Sequence, residues 1–315
     1  MKYLTPNKIY LGRSESKMKE IEPESVALSF WSPPYFVGKS YEKGETFETW
    51  QDTLKKVIEQ HVPVLKPGGF MVINIADILC FPDESMPRFQ AMNLHNQKCP
   101  VTREMVLKAK QKHPNYNRYQ LAELLGCSEQ TIDRRLNGNN IRGGKYQTQT
   151  RVKLVGSYIE NYGYNVGLYL YDKRIWVKDP TWANSRWTSN TLKAVSEYED
   201  LYIFWKPGQH VIDRKKLTEN EWNEWGSRGV WYIDSVRCND VHEAQFPVEL
   251  AERIIKLFSK KSDLVLDPFM GSGTTAVAAI KNERRYIGID KEPRYVRLAE
   301  RRIKEFTSQL PLFNL

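Results

Sequence analysis

Cysteine is scarce in this sequence, and long apolar runs are missing from it. Four cysteines occur among 315 residues, and no two of them have the C-x-x-C spacing of a zinc site or a redox motif. This sparse set predicts a cytoplasmic protein without bound metal, because structural disulfides belong to oxidising compartments. The most apolar stretch, Phe70–Phe81, is interrupted by Asn74 and Asp77, so it is too short and too polar to span a membrane.

Acidic residues are the minority among the charged ones. Lys and Arg number 47 against 38 Asp and Glu, which gives a net charge of +9. This balance suits a polyanionic partner, although a solvated basic surface has the same composition. The hydrophobic content of 41% is ordinary for a globular protein, and 315 residues can bury one large core with a small appended domain.

Predicted strands and helices alternate at both ends of the chain. Near the start, Val26–Trp31 predicts a buried strand, residues 48–63 an amphipathic helix, and Phe70–Ala76 a second strand. Near the end, the predicted elements are the strand Asp263–Leu266, the helix Thr274–Lys281, the strand Tyr286–Ile289 and the basic helix Pro293–Phe306. This alternation favours an α/β fold with a doubly wound, mostly parallel sheet.

A glycine-rich string, Asp267–Thr275, stands between the predicted strand and helix of the C-terminal part. Gly271 and Gly273 let the backbone come close to a ligand, and the start of the helix points free N–H groups at it. Asp290 follows the next predicted strand, where nucleotide-binding folds place a carboxylate for ribose hydroxyls. A G-x-G pair alone would also fit a tight turn or a dinucleotide site, and the sequence contains no phosphate-binding G-x-x-x-x-G-K-[ST] loop.

A second short motif, Ser32-Pro33-Pro34-Tyr35, directly follows the predicted strand Val26–Trp31. Alone it would be an ordinary turn. Consecutive prolines hold the backbone extended and carry no N–H group, so they leave oxygen acceptors beside an aromatic ring. The position at a strand end is where α/β folds bind ligands.

Together the two motifs resemble those of DNA amino-methyltransferases, which transfer a methyl group from S-adenosylmethionine (AdoMet) to an exocyclic base nitrogen. The order of the motifs resembles the permuted beta class of that family. Ser at position 32 is similar to the cytosine-N4 type, whereas Asp there accompanies adenine-N6 specificity. The resemblance therefore implies cytosine-N4 methylation of duplex DNA, with adenine-N6 methylation, RNA base methylation, or a DNA-binding regulator that retains an AdoMet pocket as alternatives. A cytosine-C5 enzyme is excluded, because that chemistry needs a nucleophilic cysteine in a Pro-Cys motif, which the chain lacks.

The resemblance also implies roles for single residues. Ser32 and the Pro33 carbonyl would accept hydrogen bonds from the target amino group, Pro34 would hold the backbone, and Tyr35 would stack on the flipped base. Cofactor-binding residues would be Asp267, Pro268, Phe269, Gly271, Gly273, Thr274, Thr275 and Asp290. Phe246 would wall the methionine end of AdoMet. Family members often carry Gly-Asp near the adenine of AdoMet, and Ser14 stands at the matching place.

Residues 96–150 predict an inserted helical domain. Between positions 99 and 150, nine Lys and Arg stand against four Asp and Glu. The segment Tyr119–Leu136 resembles a helix-turn-helix in which Ala122 packs between the helices, Gly126 makes the turn and Ile132 locks the second helix. Its exposed face would then present the DNA-contacting residues Thr131, Arg134 and Arg135. A helical hairpin that serves only packing or dimerisation is the alternative.

The remaining predictions concern DNA contacts, the tail and the domain boundaries. Basic and aromatic residues interleave after position 158, and the substrate-side candidates are Lys178, Trp182, Arg186 and Trp187. Gln309–Phe313 resembles a peptide that binds the bacterial sliding clamp, although a tail folded on its own protein fits as well. A restriction endonuclease is a further expected partner. The predicted boundaries are 1–95 for the catalytic half, 96–150 for the insert, 151–308 for the remainder of the methyltransferase and 309–315 for the tail.

Overall fold

The structure, a computed structural model, describes most of the chain. The described residues are 3–36, 46–83, 85–86, 99–137, 150–180, 194–210, 213–236 and 245–313. They form two compact units. Among the described residues, the larger unit comprises those up to 78, from 153 to 180 and from 195 onward, and the smaller unit comprises those from 79 to 152 together with Ala194.

The secondary structure of the described residues confirms the predicted alternation. The strands are β1 Lys8–Leu11, β2 Val26–Trp31, β3 Leu65–Ile75, β4 Ile78–Pro82, β5 Thr150–Lys153, β6 Tyr169–Val177, β7 Tyr198–Trp205, β8 Val230–Tyr232, β9 Leu264–Asp267 and β10 Arg285–Asp290. The helices are α1 Ser14–Lys17, α2 Phe47–Val64, α3 Arg103–Lys112, α4 Arg118–Leu125, α5 Glu129–Asn137, α6 Gly156–Asn165, α7 Glu219–Glu221, α8 Val248–Phe258, α9 Thr274–Lys281 and α10 Pro293–Phe313.

Eight strands of the larger unit form one mixed sheet in the order β1-β10-β9-β2-β3-β7-β6-β8. The first five strands are mutually parallel, β7 is antiparallel to both β3 and β6, and β8 is parallel to β6. This arrangement confirms the predicted doubly wound, mostly parallel sheet. The neighbours β2 and β9 come from opposite ends of the chain, and their carboxyl ends lie side by side.

Burial explains why these segments adopt these elements. All six residues of β2 are buried, as expected for a central parallel strand. Helix α2 begins at Thr46, whose hydroxyl accepts from the Thr49 N–H in a reciprocal capping box, and it turns one apolar face inward. On the same helix, His61 is fully buried and stacks on Trp31 with ring centroids 5.6 Å apart.

Residues 213–236 contribute to the core of the larger unit. They contain a π-helical turn at Trp222–Gly226 and the strand β8, and Trp225 and Trp231 are both buried. A three-residue strand is too short to produce a recognisable alternation of apolar and polar residues. The buried tryptophans therefore carry no periodic signal in the sequence.

The C-terminal helix also differs from its prediction, because α10 continues to Phe313 rather than ending at Phe306. Pro311 removes only one backbone donor, in the last turn of a helix of 21 residues. Most of the predicted tail is thus helical in its backbone. The side chains from 310 onward lie outside the described residues, and clamp binding stays a prediction.

The smaller unit contains three short helices around its own apolar core. The core side chains are Val101, Val106, Leu121, Ala122 and Ile132. Gly126 ends α4 in the left-handed conformation, with a φ of 64°. Buried Ala122, the Gly126 turn and fully buried Ile132 confirm the predicted packing of the helix-turn-helix segment. Arg118 links α4 to α5 through Glu129 at 3.1 Å and Asp133 at 2.7 Å.

Among the described residues, no helix combines the length and the apolar character needed to cross a membrane.

The buried His61 predicts a specific dependence of stability on pH. Burial lowers the pKa of its imidazole from 6.5 to about 4. Between these values the unfolded chain binds a proton that the folded chain does not, so the free energy of unfolding should fall as pH drops from 6.5 toward 4. The contribution is on the order of 3 kcal/mol. Urea unfolding of wild type and His61→Gln at pH 7.5 and 4.5 measures it, and an equal pH dependence in both proteins would contradict the assignment.

Candidate active site

The candidate site lies where β2 and β9 end together. Ser29 of β2 is in register with Leu266 of β9, and the Ser29 hydroxyl lies 3.1 Å from the Leu266 carbonyl oxygen. Trp31 and Asp267 are the last residues of the two strands. The Ser-Pro-Pro-Tyr motif and the glycine-rich loop therefore start from neighbouring points on the carboxyl edge of the sheet, where α/β folds bind ligands.

The loop after β9 depends on glycine for its backbone shape. Gly271 and Gly273 have φ values of 52° and 83°, which most residues avoid. A side-chain carbon on Gly273 would also approach the Cβ of Ala299 to 2.9 Å. Gly273 is the N-cap of α9, so the loop delivers the start of that helix to the sheet edge. The glycines are thus required by the backbone and by the neighbouring helix α10, besides any approach of a ligand.

Two buried carboxylates hold this loop. Asp267 is 1% exposed and accepts from the Thr275 hydroxyl at 2.6 Å and from the Phe269 N–H at 2.9 Å. Asp290 accepts from the N–H groups of Gly271 and Glu292, both at 2.8 Å. Burial raises the pKa of both carboxyl groups, that of Asp267 to about 7. These contacts shape the loop, while the direct contacts with a ligand predicted for both residues stay predictions.

The remaining predicted cofactor residues surround the same loop. Ser14 is buried, and its hydroxyl donates to the carbonyl of Pro268. The ring centroid of Phe269 lies 5.4 Å from that of Trp31, and the ring centroid of Phe246 lies 5.0 Å from that of Phe30 of β2. Thr274 and Thr275 are buried at the start of α9. The structure therefore brings all the predicted cofactor residues to one region, with Ser14 bonded to the protein itself.

The Ser-Pro-Pro-Tyr corner is held by hydrogen bonds on both sides. Trp50 of α2 donates its indole N–H to the Pro34 carbonyl at 2.7 Å. The Ser32 hydroxyl donates to the Tyr35 hydroxyl oxygen at 3.3 Å, so its own lone pairs face other directions. Ser32 and Tyr35 are half-buried, and Pro33 is buried.

Three polar residues complete the corner, and of these the sequence analysis named only Lys178, as a substrate-side residue. Tyr35 donates to Glu199 Oε2 at 2.5 Å, and the Asn74 amide donates to the same oxygen at 2.7 Å. Lys178 forms an ion pair with Glu199 Oε1. Asn74 could have been noticed because it interrupts an apolar strand. Glu199 is the second residue of β7.

The predicted DNA-contacting residues fall into three groups. The ammonium of Lys178 is paired with Glu199 and lies 5.4 Å from the Trp176 ring centroid, and its expected contact on the substrate side stays a prediction. In α5, Arg134 and Arg135 are exposed and Thr131 is half-buried. The Arg135 Nε also donates to the Val101 carbonyl at 2.9 Å. Trp182, Arg186 and Trp187 lie outside the described residues.

Comparisons with known proteins point to one kind of enzyme. The N6_N4_Mtase family, described as DNA methylase, matches residues 26–301. The Type II methyltransferase M.BglI of Bacillus subtilis is 59% identical over 304 residues, covering 96% of this chain and 87% of that protein. The Type II methyltransferase M.MthZI of Methanothermobacter thermautotrophicus is 25% identical over 335 residues, covering 96% and 77%.

Solved structures share the fold. TTHA0409 of Thermus thermophilus, in complex with S-adenosyl-L-methionine, superposes with a TM-score of 0.61 at 24% identity, covering 95% of this chain and 93% of that one. The PvuII DNA methyltransferase, which is cytosine-N4-specific, superposes with a TM-score of 0.57 at 16% identity, covering 98% and 93%. At these identities the likeness establishes the common fold.

The raised pKa of Asp267 predicts a pH-dependent affinity for AdoMet. Its carboxyl group is ionised above about pH 7, and only the ionised form can attract the positive amino group expected in the pocket. Affinity should therefore rise as pH increases from 6 to 8. Isothermal titration calorimetry at several pH values measures this change.

The matched variant for that experiment is Asp267→Asn, which keeps the shape and removes the titrating group. It should bind more weakly and show a flatter profile over the same range. A wild-type profile in Asp267→Asn would mean that another group controls the pH dependence.

Proposed function

The chain belongs to the N6_N4 DNA methylase family, and we propose that it transfers the methyl group of AdoMet to the N4 amino group of cytosine in duplex DNA. The observation that carries the proposal is the junction of β2 and β9, where a corner beginning with the neutral residue Ser32 adjoins the glycine-rich loop. Ser at this position resembles the cytosine-N4 type of the family. Adenine-N6 methylation would use the same fold and the same cofactor loop.

The residues of the loop suit AdoMet in their chemistry. Asp267 and Asp290 can supply negative charge for an amino group and acceptors for ribose hydroxyls, and Phe269 supplies an apolar wall. Pro268, Gly271, Gly273, Thr274 and Thr275 shape the loop around them. When bound, AdoMet supplies an electrophilic methyl group on a positively charged sulfur. The roles of Ser14 and Phe246 beside the adenine and the methionine end complete this proposed pocket.

The corner suits the second reactant, a base that has left the duplex. The cytosine amino group is a poor nucleophile, because its lone pair is delocalised into the ring. The Ser32 hydroxyl oxygen and the Pro33 carbonyl would accept from its two hydrogens and favour a localised lone pair. Tyr35 would stack on the base, which is out of reach while it stays paired. Much of the rate acceleration would come from holding the two reactants in line.

The smaller unit is proposed to contact DNA through the exposed face of α5. Arg134 is exposed there, and the helix-turn-helix packing of α4 and α5 is that of modules that enter the major groove. Arg135 is partly engaged by the Val101 carbonyl, so Arg134 is the sharper probe. A partner nuclease and a sliding-clamp contact through Gln309–Phe313 stay predictions from the sequence.

The product of the reaction tests the proposal. DNA incubated with the protein and AdoMet should contain N4-methylcytosine, as measured by mass spectrometry of its nucleosides. Ser32→Ala should lower turnover by about 10- to 100-fold, because one acceptor of the amino group is lost. The control Ser25→Ala changes a half-buried serine outside the corner, whose hydroxyl donates to the Glu22 carbonyl, and should retain wild-type turnover.

The two ways in which this test can fail differ in meaning. Formation of N6-methyladenine alone would overturn the cytosine assignment and leave the DNA methylase family unaffected. Equal turnover of Ser32→Ala and Ser25→Ala would overturn the role of the Ser32 hydroxyl.

The DNA-reading role of the smaller unit is tested separately. Arg134→Ala should weaken DNA binding. If the lost contact is to phosphate, it should also reduce the slope of log affinity against log salt concentration by about 1. Fluorescence anisotropy at two salt concentrations measures both quantities, with Lys261→Ala, a basic residue of the larger unit paired with Glu283, as the control. Wild-type curves for Arg134→Ala would support a unit that serves only packing or dimerisation.

A further inference from the structure

We infer that Glu199, held by Lys178, is a positioning residue that sets the direction of the hydrogen bonds in the Ser-Pro-Pro-Tyr corner. This inference rests on the proposed function of Ser32 as an acceptor for the target amino group. Glu199 would act through Tyr35 and would not contact the base itself. The supporting observation is that the start of β7 and the ends of β3 and β6 bring Glu199, Asn74 and Lys178 together beside this corner.

The sheet topology brings Glu199 to the corner from a different part of the chain. Strand β7 runs antiparallel to β3 and β6, so its first residues lie at the edge where those two strands end. Glu199 is opposite Trp176 in the β6–β7 register, and Lys178 follows the end of β6. Asn74 is the second-last residue of β3. The three polar residues therefore meet at the carboxyl edge on which the Ser-Pro-Pro-Tyr motif lies.

The hydrogen bonds of Glu199 have only one possible direction. An ionised carboxylate accepts and cannot donate, so the Tyr35 hydroxyl donates its single proton to Oε2, at 2.5 Å. The oxygen of Tyr35 is then an acceptor for Ser32, 3.3 Å away. The Ser32 hydroxyl donates its proton to Tyr35, and its lone pairs can then accept a hydrogen bond from a donor on the substrate. Without the carboxylate, the Tyr35 hydroxyl would keep two acceptors, the Asn74 carbonyl oxygen and the Ser32 hydroxyl oxygen, both 3.3 Å away. Donation to Ser32 would compete with the amino group.

The same carboxylate fixes the orientation of Asn74. Its Nδ2 must face Glu199, at 2.7 Å, and its Oδ1 is then turned away. Within the described part of the chain, this buried Oδ1 has no hydrogen-bond partner. A buried acceptor without a partner costs free energy, which points to a donor that arrives with a ligand.

Stability alone does not account for this ion pair. Glu199 is 6% exposed, and the side chain of Lys178 is 16% exposed. Replacing a buried pair by apolar residues is often neutral or stabilising, because desolvation of the charges offsets their attraction. Both donors on Oε2 belong to the corner, whereas none of the described partners of Glu199 lies within residues 267–275. Loss of the carboxylate should therefore affect turnover and spare cofactor binding.

The test compares Glu199→Gln with Asp200→Asn as its matched control. Asp200 is the next residue of β7, is 5% exposed, pairs with Lys173 at 3.0 Å and accepts from Tyr202, so its described partners lie outside the Ser-Pro-Pro-Tyr motif. Glu199→Gln should lower kcat by roughly 10- to 100-fold, the loss expected for one charge-assisted hydrogen bond. The Kd of AdoMet should stay within about twofold of wild type, and Asp200→Asn should retain wild-type kcat.

A double-mutant cycle separates positioning from general support of the fold. Tyr35→Phe keeps the ring and removes the hydroxyl, so it should lower kcat by itself. If Glu199 acts through that hydroxyl, Glu199→Gln combined with Tyr35→Phe should be no slower than the slower single variant. Multiplied losses in the double variant, or a loss of AdoMet affinity that parallels the loss of kcat, would overturn the inference.

Two further outcomes are decided by the same set of proteins. If Glu199→Gln does not fold, Tyr35→Phe and Lys178→Met carry the test, and wild-type turnover in both would overturn the inference. If the wild-type protein forms no N4-methylcytosine, the proposed function fails on its own, before any variant is compared. A product of N6-methyladenine leaves the kcat comparison valid for that base, so the two failures are distinguishable.

Discussion

The parallel pairing of β2 with β9 is the interaction on which the rest of the structure depends. It joins strands whose paired residues Ser29 and Leu266 are 237 positions apart, and it places two loops with different chemistry at adjacent points of one edge. The Ser29 Oγ also lies 2.8 Å from Nε2 of the buried His61, and this contact connects the flanking helix α2 to the same junction. The proposed methyl transfer requires two reactants to meet in line, and this pairing is what makes the two loops neighbours.

Three acidic side chains are buried around that junction, and each holds neighbouring groups in place through hydrogen bonds. Asp267 and Asp290 accept from N–H and hydroxyl groups of the glycine-rich loop and fix its shape. Glu199 accepts from Tyr35 and Asn74 and is balanced by Lys178. A carboxylate is suited to this task, because it accepts several hydrogen bonds and cannot donate any. At this edge of the sheet, Asp267 and Asp290 therefore shape the glycine-rich loop, and Glu199 orders the Ser-Pro-Pro-Tyr corner beside it.

The parts of this account that the sequence predicts are local in the chain. The strand β2, the string Asp267–Thr275 and the packing of Ala122, Gly126 and Ile132 follow from residues close together in the sequence. The role of Glu199 does not, because it depends on the register of β7 against β6, and no local pattern encodes a register between distant strands. For the same reason the sequence does not indicate the partner of Lys178, which the fold pairs with an acid 21 residues away.

In the proposed function, the cofactor and an extruded cytosine meet between the glycine-rich loop and the Ser-Pro-Pro-Tyr corner. The most direct measurement is a crystal structure of the protein with duplex DNA and sinefungin, an AdoMet analogue in which a carbon bearing an amino group replaces the sulfur and its methyl group. We expect sinefungin against the loop that Asp267 and Asp290 hold, the cytosine ring against Tyr35, and the cytosine N4 within about 3 Å of Ser32 Oγ. A base bound away from Ser32, or an analogue bound away from residues 267–275, would contradict this proposal.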